Sequence, residues 1–114
     1  MTVAGYFELN AAAGSQFRFN LKAGNNQVIL SSELYKTKQS ALDGIASVKQ
    51  NAGDDARYQR KTAKDDSAYF TLVAGNGQAV GRSEMYSSAA AMENGIASVK
   101  ANAPTAAVKD LSAG

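Results

Sequence analysis

Gly44-Ile45-Ala46-Ser47-Val48-Lys49 recurs letter for letter as Gly95-Ile96-Ala97-Ser98-Val99-Lys100, 51 residues further along the chain. Working outward from that hexapeptide, the same offset aligns both flanks without a gap. Phe19-Asn20-Leu21-Lys22-Ala23-Gly24-Asn25 falls on Phe70-Thr71-Leu72-Val73-Ala74-Gly75-Asn76, Gln27 on Gln78, and Ser32-Glu33-Leu34-Tyr35 on Ser83-Glu84-Met85-Tyr86. Between Phe19–Ala52 and Phe70–Ala103, 17 of 34 positions are identical, far above chance. Two copies fall short of the three or more that a solenoid needs. The pattern therefore predicts one pseudo-symmetric domain, with repeat one spanning about residues 4–55 and repeat two about 56–111.

Each copy reads as strands followed by a helix. In Phe17-Arg18-Phe19-Asn20-Leu21-Lys22-Ala23 apolar and polar side chains alternate, the period of a half-buried strand; Phe70 and Leu72 keep the same phase. Asn76-Gly77 is a strong hairpin signal, since both residues tolerate the positive φ of a type I′ turn, and Asn26 stands in for the Gly in copy one. A two-residue Asn25-Asn26 loop predicts that Ala23 faces Val28 and Leu21 faces Leu30. Tyr6 to Asn10 and Arg57 to Lys61 read as a preceding strand in each copy, so that each repeat opens with a three-stranded meander.

Thr37 and Ser88 occupy matching N-cap positions. Beyond them Ala41, Ile45, Val48 and Ala52, and likewise Met92, Ile96, Val99 and Ala103, form one apolar stripe per helix. Gly53 and Pro104 close the two helices. Gly44 and Gly95 lie inside them, where Gly costs up to ~1 kcal/mol against Ala, which points to a close approach of helix and sheet. The segment 56–62 both closes unit one and opens unit two, and residues 106–111 form a last short strand. The expected fold is α+β: tandem β-β-β-α-β repeats in one largely antiparallel sheet, with two helices on one face.

Composition narrows the function classes. With 114 residues, 45% apolar and 19% charged, the chain suits one folded domain rather than a disordered one. It has no Cys and no His, so it offers no disulfide, thiolate nucleophile, imidazole base or zinc site of the usual ligands. A net charge of +2 implies neither nucleic acid nor membrane by itself. Met1 is not followed by a basic and then an apolar run, and no stretch approaches the ~20 apolar residues of a membrane span. The expectation is a cytoplasmic protein without cofactor or metal, a monomer with pseudo-dimeric symmetry.

Phe19/Leu21 and Phe70/Leu72, Asn76-Gly77, the two Ser-Glu-x-Tyr motifs and the two Gly-Ile-Ala-Ser-Val-Lys runs together resemble the YegP-like family, small bacterial proteins built from a domain of unknown function. The match covers nearly the whole chain, and Asn26 in place of the turn Gly is its one departure. The resemblance implies the tandem architecture with terminal strands exchanged between units, and single-copy relatives that pair as homodimers. It implies no activity.

Glu33 and Glu84 sit where a helix dipole favours carboxylates, and no second acid is spaced to make a catalytic pair. Ser47 and Lys49, two apart on a helix, point to different sides; Ser98 and Lys100 repeat that arrangement. Two surfaces are candidates for binding. The sheet face away from the helices is expected to present Lys22, Ile29, Tyr69, Val73, Val80 and Arg82 to a protein partner. Arg57, Tyr58, Arg60 and Lys61 form the densest basic cluster, with an aromatic on which a base can stack, although Asp54, Asp55, Asp65 and Asp66 flank it. The leading expectation is a non-enzymatic protein-interaction or structural module. The alternative is weak single-stranded nucleic-acid binding through Arg57–Lys61.

Overall fold

A computed structural model of the chain describes residues 5–24 and 26–112. Asn25 of the first turn, Met1 and the expected start of repeat one near residue 4 lie outside the described residues. The elements run β1 (Tyr6–Ala12), β2 (Gln16–Lys22), β3 (Val28–Ser31), α1 (Lys38–Asn51), β4 (Tyr58–Thr62), β5 (Ala68–Val73), β6 (Ala79–Arg82), α2 (Ala89–Asn102) and β7 (Ala107–Asp110). Seven strands form one sheet in the order β4-β5-β6-β3-β2-β1-β7. All neighbours are antiparallel except β7, which runs parallel to β1.

At the middle of the sheet Ser31 pairs with Arg82. The 51-residue offset exchanges these two positions, so each half meets its own counterpart there and a pseudo-two-fold axis passes between β3 and β6. β2 and β5, then β1 and β4, follow outward in equivalent registers. Each helix packs on a central strand of its own half and reaches the other half's hairpin: α1 lies on β2, β5 and β6, and α2 on β5 and β3. Phe7, Leu9, Phe19, Leu21, Leu30, Phe70 and Leu72 are fully buried in one cluster with Ile45, Val48, Ile96 and Val99. Each such side chain contributes about 1.5–3 kcal/mol of burial. Both predicted stripes face this core, and both predicted caps are made: Thr37 Oγ1 accepts from Ser40 N at 3.0 Å and Ser88 Oγ from Ala91 N at 3.1 Å.

Three local expectations need correction. First, the hairpins have three-residue loops rather than two. Ala23 N donates to Gln27 O and Asn26 N to Ala23 O, and copy two repeats this with Ala74, Gln78 and Gly77. Only Asn26 (φ 68°) and Gly77 (φ 84°) take the left-handed conformation there among the described residues, as in a turn followed by a bulge. Second, a register shift follows at once: Leu21 faces Leu30 as expected, but Lys22 rather than Ala23 faces Val28, and in copy two Leu72 faces Gly81 while Val73 faces Ala79. Ile29 and Val80 are the bulged residues. Third, segment 58–62 serves repeat two alone. It pairs with β5, while the strand that follows α2 crosses to β1 of repeat one. One segment cannot occupy both positions.

Candidate functional site

The repeated polar motif is built into the scaffold almost completely. Ser32 Oγ accepts from Phe19 N at 2.9 Å and donates to the Glu33 carbonyl at 2.7 Å; Ser83 does the same with Phe70 N and the Glu84 carbonyl. Tyr35 stacks on Phe19 and Tyr86 on Phe70, with ring centroids 6.0 and 6.5 Å apart. Each Tyr ring also lies over a helix glycine. A Cβ on Gly44 would sit 2.8 Å from Tyr35 Cζ and overlap its Oη, and Gly95 stands in the same relation to Tyr86. The close approach expected from the helix glycines is therefore made by these tyrosines. Burial first, and then the charge of Glu33 or Glu84, raises both phenols above their ordinary value.

The Ser–x–Lys triplets are structural as well. Ser47 and Ser98 each accept from the Asn one turn later at 3.2 Å. Lys49 Nζ lies 5.8 Å above the Phe7 ring and Lys100 Nζ 5.6 Å above the Tyr58 ring, a cation–π seal on β1 and on β4.

What the scaffold leaves unused is Glu33-Leu34 and Glu84-Met85. Leu34 is 52% and Met85 50% exposed, at the same place in both copies. Glu33 and Glu84 each line one of two grooves related by the pseudo-two-fold, and Leu34 and Met85 follow them in the chain. In the first, of about 580 Å³, Glu33, Tyr35 and Asp43 of repeat one face Gln78, Ala79 and Val80 of repeat two. In the second, of about 330 Å³, Glu84 and Tyr86 of repeat two face Gln27, Val28 and Ile29 of repeat one. Every lining residue named in the second groove is the counterpart of one in the first. Sequence reading singled out the motifs but missed that each is completed by the opposite hairpin; the signal was the preservation of Glu and of a large apolar residue where packing does not require either.

The two surfaces expected from sequence are rearranged. Lys22, Tyr69 and Arg82 do lie on the sheet face away from the helices, since they share registers with Tyr6, Lys61 and Ser31. Ile29 and Val80, both 7% exposed, instead join the helix-side core because the bulge turns them over. Val73 keeps its side of the sheet but is buried. The basic strand is divided likewise, as alternate residues must be. Tyr58 is buried and its hydroxyl donates to the Ala52 carbonyl at 2.6 Å, so it offers no stacking surface. Arg60 grips Glu93 through two nitrogens at 2.6 and 3.1 Å and Asp55 at 3.0 Å on the helix side. Arg57 pairs with Asp54 at 3.6 Å. Lys61 reaches the open face, opposite Tyr69. No group of three or more His, Cys, Asp or Glu placed to hold a metal occurs among the described residues, and none of their helices is long and apolar enough to cross a membrane.

A duplicated strand–strand–strand–helix unit with its motifs locked into the fold defines a class of small α+β proteins, and comparison places the chain within it. The model of a domain of unknown function, DUF1508, matches twice, over residues 6–59 and 63–110. The chain belongs to that family. It is 63% identical over 108 residues to a UPF0339 protein of Bordetella pertussis, covering 95% of this chain and 96% of that one. It is 53% identical to UPF0339 protein YegP of Escherichia coli, covering 95% and 98%. The solution structure of E. coli yegP, described as of unknown function, superposes with a TM-score of 0.92 at 50% identity over 100% of this chain and 98% of that one. The solution structure of a UPF0339 protein from Shewanella oneidensis gives 0.91 at 50% identity over 96% and 93%.

Proposed function

We propose that this is a non-enzymatic protein-interaction module that holds extended segments of a partner in its two equivalent grooves. The observation that carries the reading is the pair Leu34 and Met85: two large apolar side chains half in water at matched positions, each preceded by an exposed glutamate that lines a groove. Holding such side chains in water forgoes their burial free energy, and exposed apolar groups rimmed by polar ones mark interaction sites. Among the described residues no Lys or Arg lines either groove, so the complementary segment carries a basic residue beside an apolar one. Duplication gives two such sites on one rigid sheet, which raises avidity for a partner with two matching segments.

Photo-crosslinking in the native host tests this. A benzophenone amino acid at position 34 or 85 should trap one and the same partner, and Glu33→Lys with Glu84→Lys should abolish the adduct. The same group at Lys64, in the β4–β5 turn, which lines neither groove, should trap nothing. Different partners from positions 34 and 85, or equal yields at 64, would sink the reading.

A further inference from the structure

The register of the sheet sorts charge by face. On the side away from the helices the strands present Arg18 and Lys22 from β2, Lys61 from β4, Arg82 from β6 and Lys109 from β7. Glu8 is the one carboxylate at an open-side strand position among the described residues, and it is taken by Lys22 at 3.2 Å. This face thus carries four net positive charges on a chain whose total is +2, which leaves the remainder net negative. Arg18, Lys61 and Arg82 are exposed and make no ion pair among the described residues, whereas Arg57, Arg60, Lys38 and Lys100 are each bound to an acid. Two tyrosines interleave with the cations: Tyr6, beneath Lys109 Nζ at 5.2 Å, and half-buried Tyr69 beside Lys61.

We infer that this open face is a binding platform for single-stranded nucleic acid. Unpaired cations on a polar sheet with interspersed aromatic rings match what a flexible strand needs: phosphate neutralisation along its path and rings on which bases stack. Lys109 and Lys61 lie on the two outermost strands, six interstrand spacings or roughly 29 Å apart, enough for a segment of several nucleotides. A sheet face without a protruding helix or ribbon has nothing to insert into a duplex groove. Among the described residues its strand positions also lack a large exposed aliphatic side chain that would anchor it to a bilayer, since Val73 is buried.

Fluorescence anisotropy of the full chain with a labelled 12-nucleotide pyrimidine strand, its duplex, and inorganic polyphosphate tests the assignment. Binding of the single strand should weaken with salt, with a log–log slope between about −2 and −3.5, as three to five neutralised phosphates require. Arg18→Ala with Arg82→Ala should lose at least tenfold and flatten the slope by about 1.4, while Lys38→Ala with Lys49→Ala, an equal loss of charge on the helix side, should change affinity less than twofold. Tyr69→Thr should weaken the oligonucleotide about fivefold or more and leave polyphosphate unaffected. No binding at 50 mM salt, equal losses in the two double variants, or indifference to Tyr69→Thr would each overturn the assignment; the last would reduce the face to a general polyanion patch.

Discussion

Repeat one has Leu30 where repeat two has Gly81, and the difference falls at the axis that relates them. A Cβ on Gly81 would stand 2.7 Å from both Leu30 Cγ and Cδ2. Two leucines cannot share that space and two glycines would leave it empty, so the fused chain fills it once, from one side. The copies stay alike where each packs on itself and diverge where they meet. The largest effect expected follows: Gly81→Leu should cost about 3 kcal/mol or more by overpacking, and Leu30→Gly about as much through the cavity. The double exchange, which only swaps the halves, should recover most of both losses in a denaturation cycle. Additivity of the two penalties would show that the site is not shared.

The helix glycines test the opposite limit, where the copies agree. In an exposed helix Gly→Ala gains up to ~1 kcal/mol; here the new methyl would drive into Tyr35 or Tyr86. Gly44→Ala and Gly95→Ala should each destabilise by about 1–3 kcal/mol, by matching amounts. Tyr35→Phe and Tyr86→Phe should relieve only part of this, because ring carbon lies within 2.8 Å as well as oxygen. A gain in either thermal midpoint would refute the packing.

The sheet's two ends differ again. Beside β1 the last strand lays Val108 against Phe7 and Asp110 against Leu9. β4 has no such cover; Arg60 replaces Leu9, held by Glu93 and Asp55, and Tyr58 replaces Phe7. An inward-facing charge on an edge strand blunts pairing with other chains. The Tyr58 hydroxyl, bonded to the Ala52 carbonyl, ties that edge to the end of α1, and Tyr58→Phe should cost about 1 kcal/mol. Phe7→Tyr at the equivalent place is the matched comparison.

Much of this was legible in the sequence. The repeat, the Phe19/Leu21 and Phe70/Leu72 phase, both caps and both helical stripes follow from local periodicity and agree with the structure. Ile29 and Val80 were misplaced because a one-residue bulge inverts a strand's faces and leaves no compositional trace beyond turns that already had another reading. Arg57 to Lys61 looked like one basic surface because the residues are adjacent in the chain, yet adjacency in a strand sends neighbours to opposite sides. The basic face could not be read for the converse reason: its five cations come from four strands and meet only through the register. The grooves needed the topology too, since each joins a motif to the hairpin of the other half.

The smallest expected effect is on the pH profile, and it compares the two sheet ends directly. Hydrogen bonds from Lys100 and then Arg60 hold Asp55, at the β4 end, at about 2. At the β7 end Asp110 is also held at about 2, by the Ser112 hydroxyl and amide and then Lys38. Both lie below the ordinary 3.8, so the unfolded chain takes up these protons first and stability falls as pH drops from about 4 towards 2. Above about pH 5 these groups contribute a constant amount. All are exposed, so the effect should shrink in 0.5 M salt. Thermal midpoints followed from pH 6 to 2.5 should decline less steeply in Asp55→Asn and in Asp110→Asn than in the parent, and least in the double variant. A parent profile that is flat over this interval would mean that neither end is held by charge.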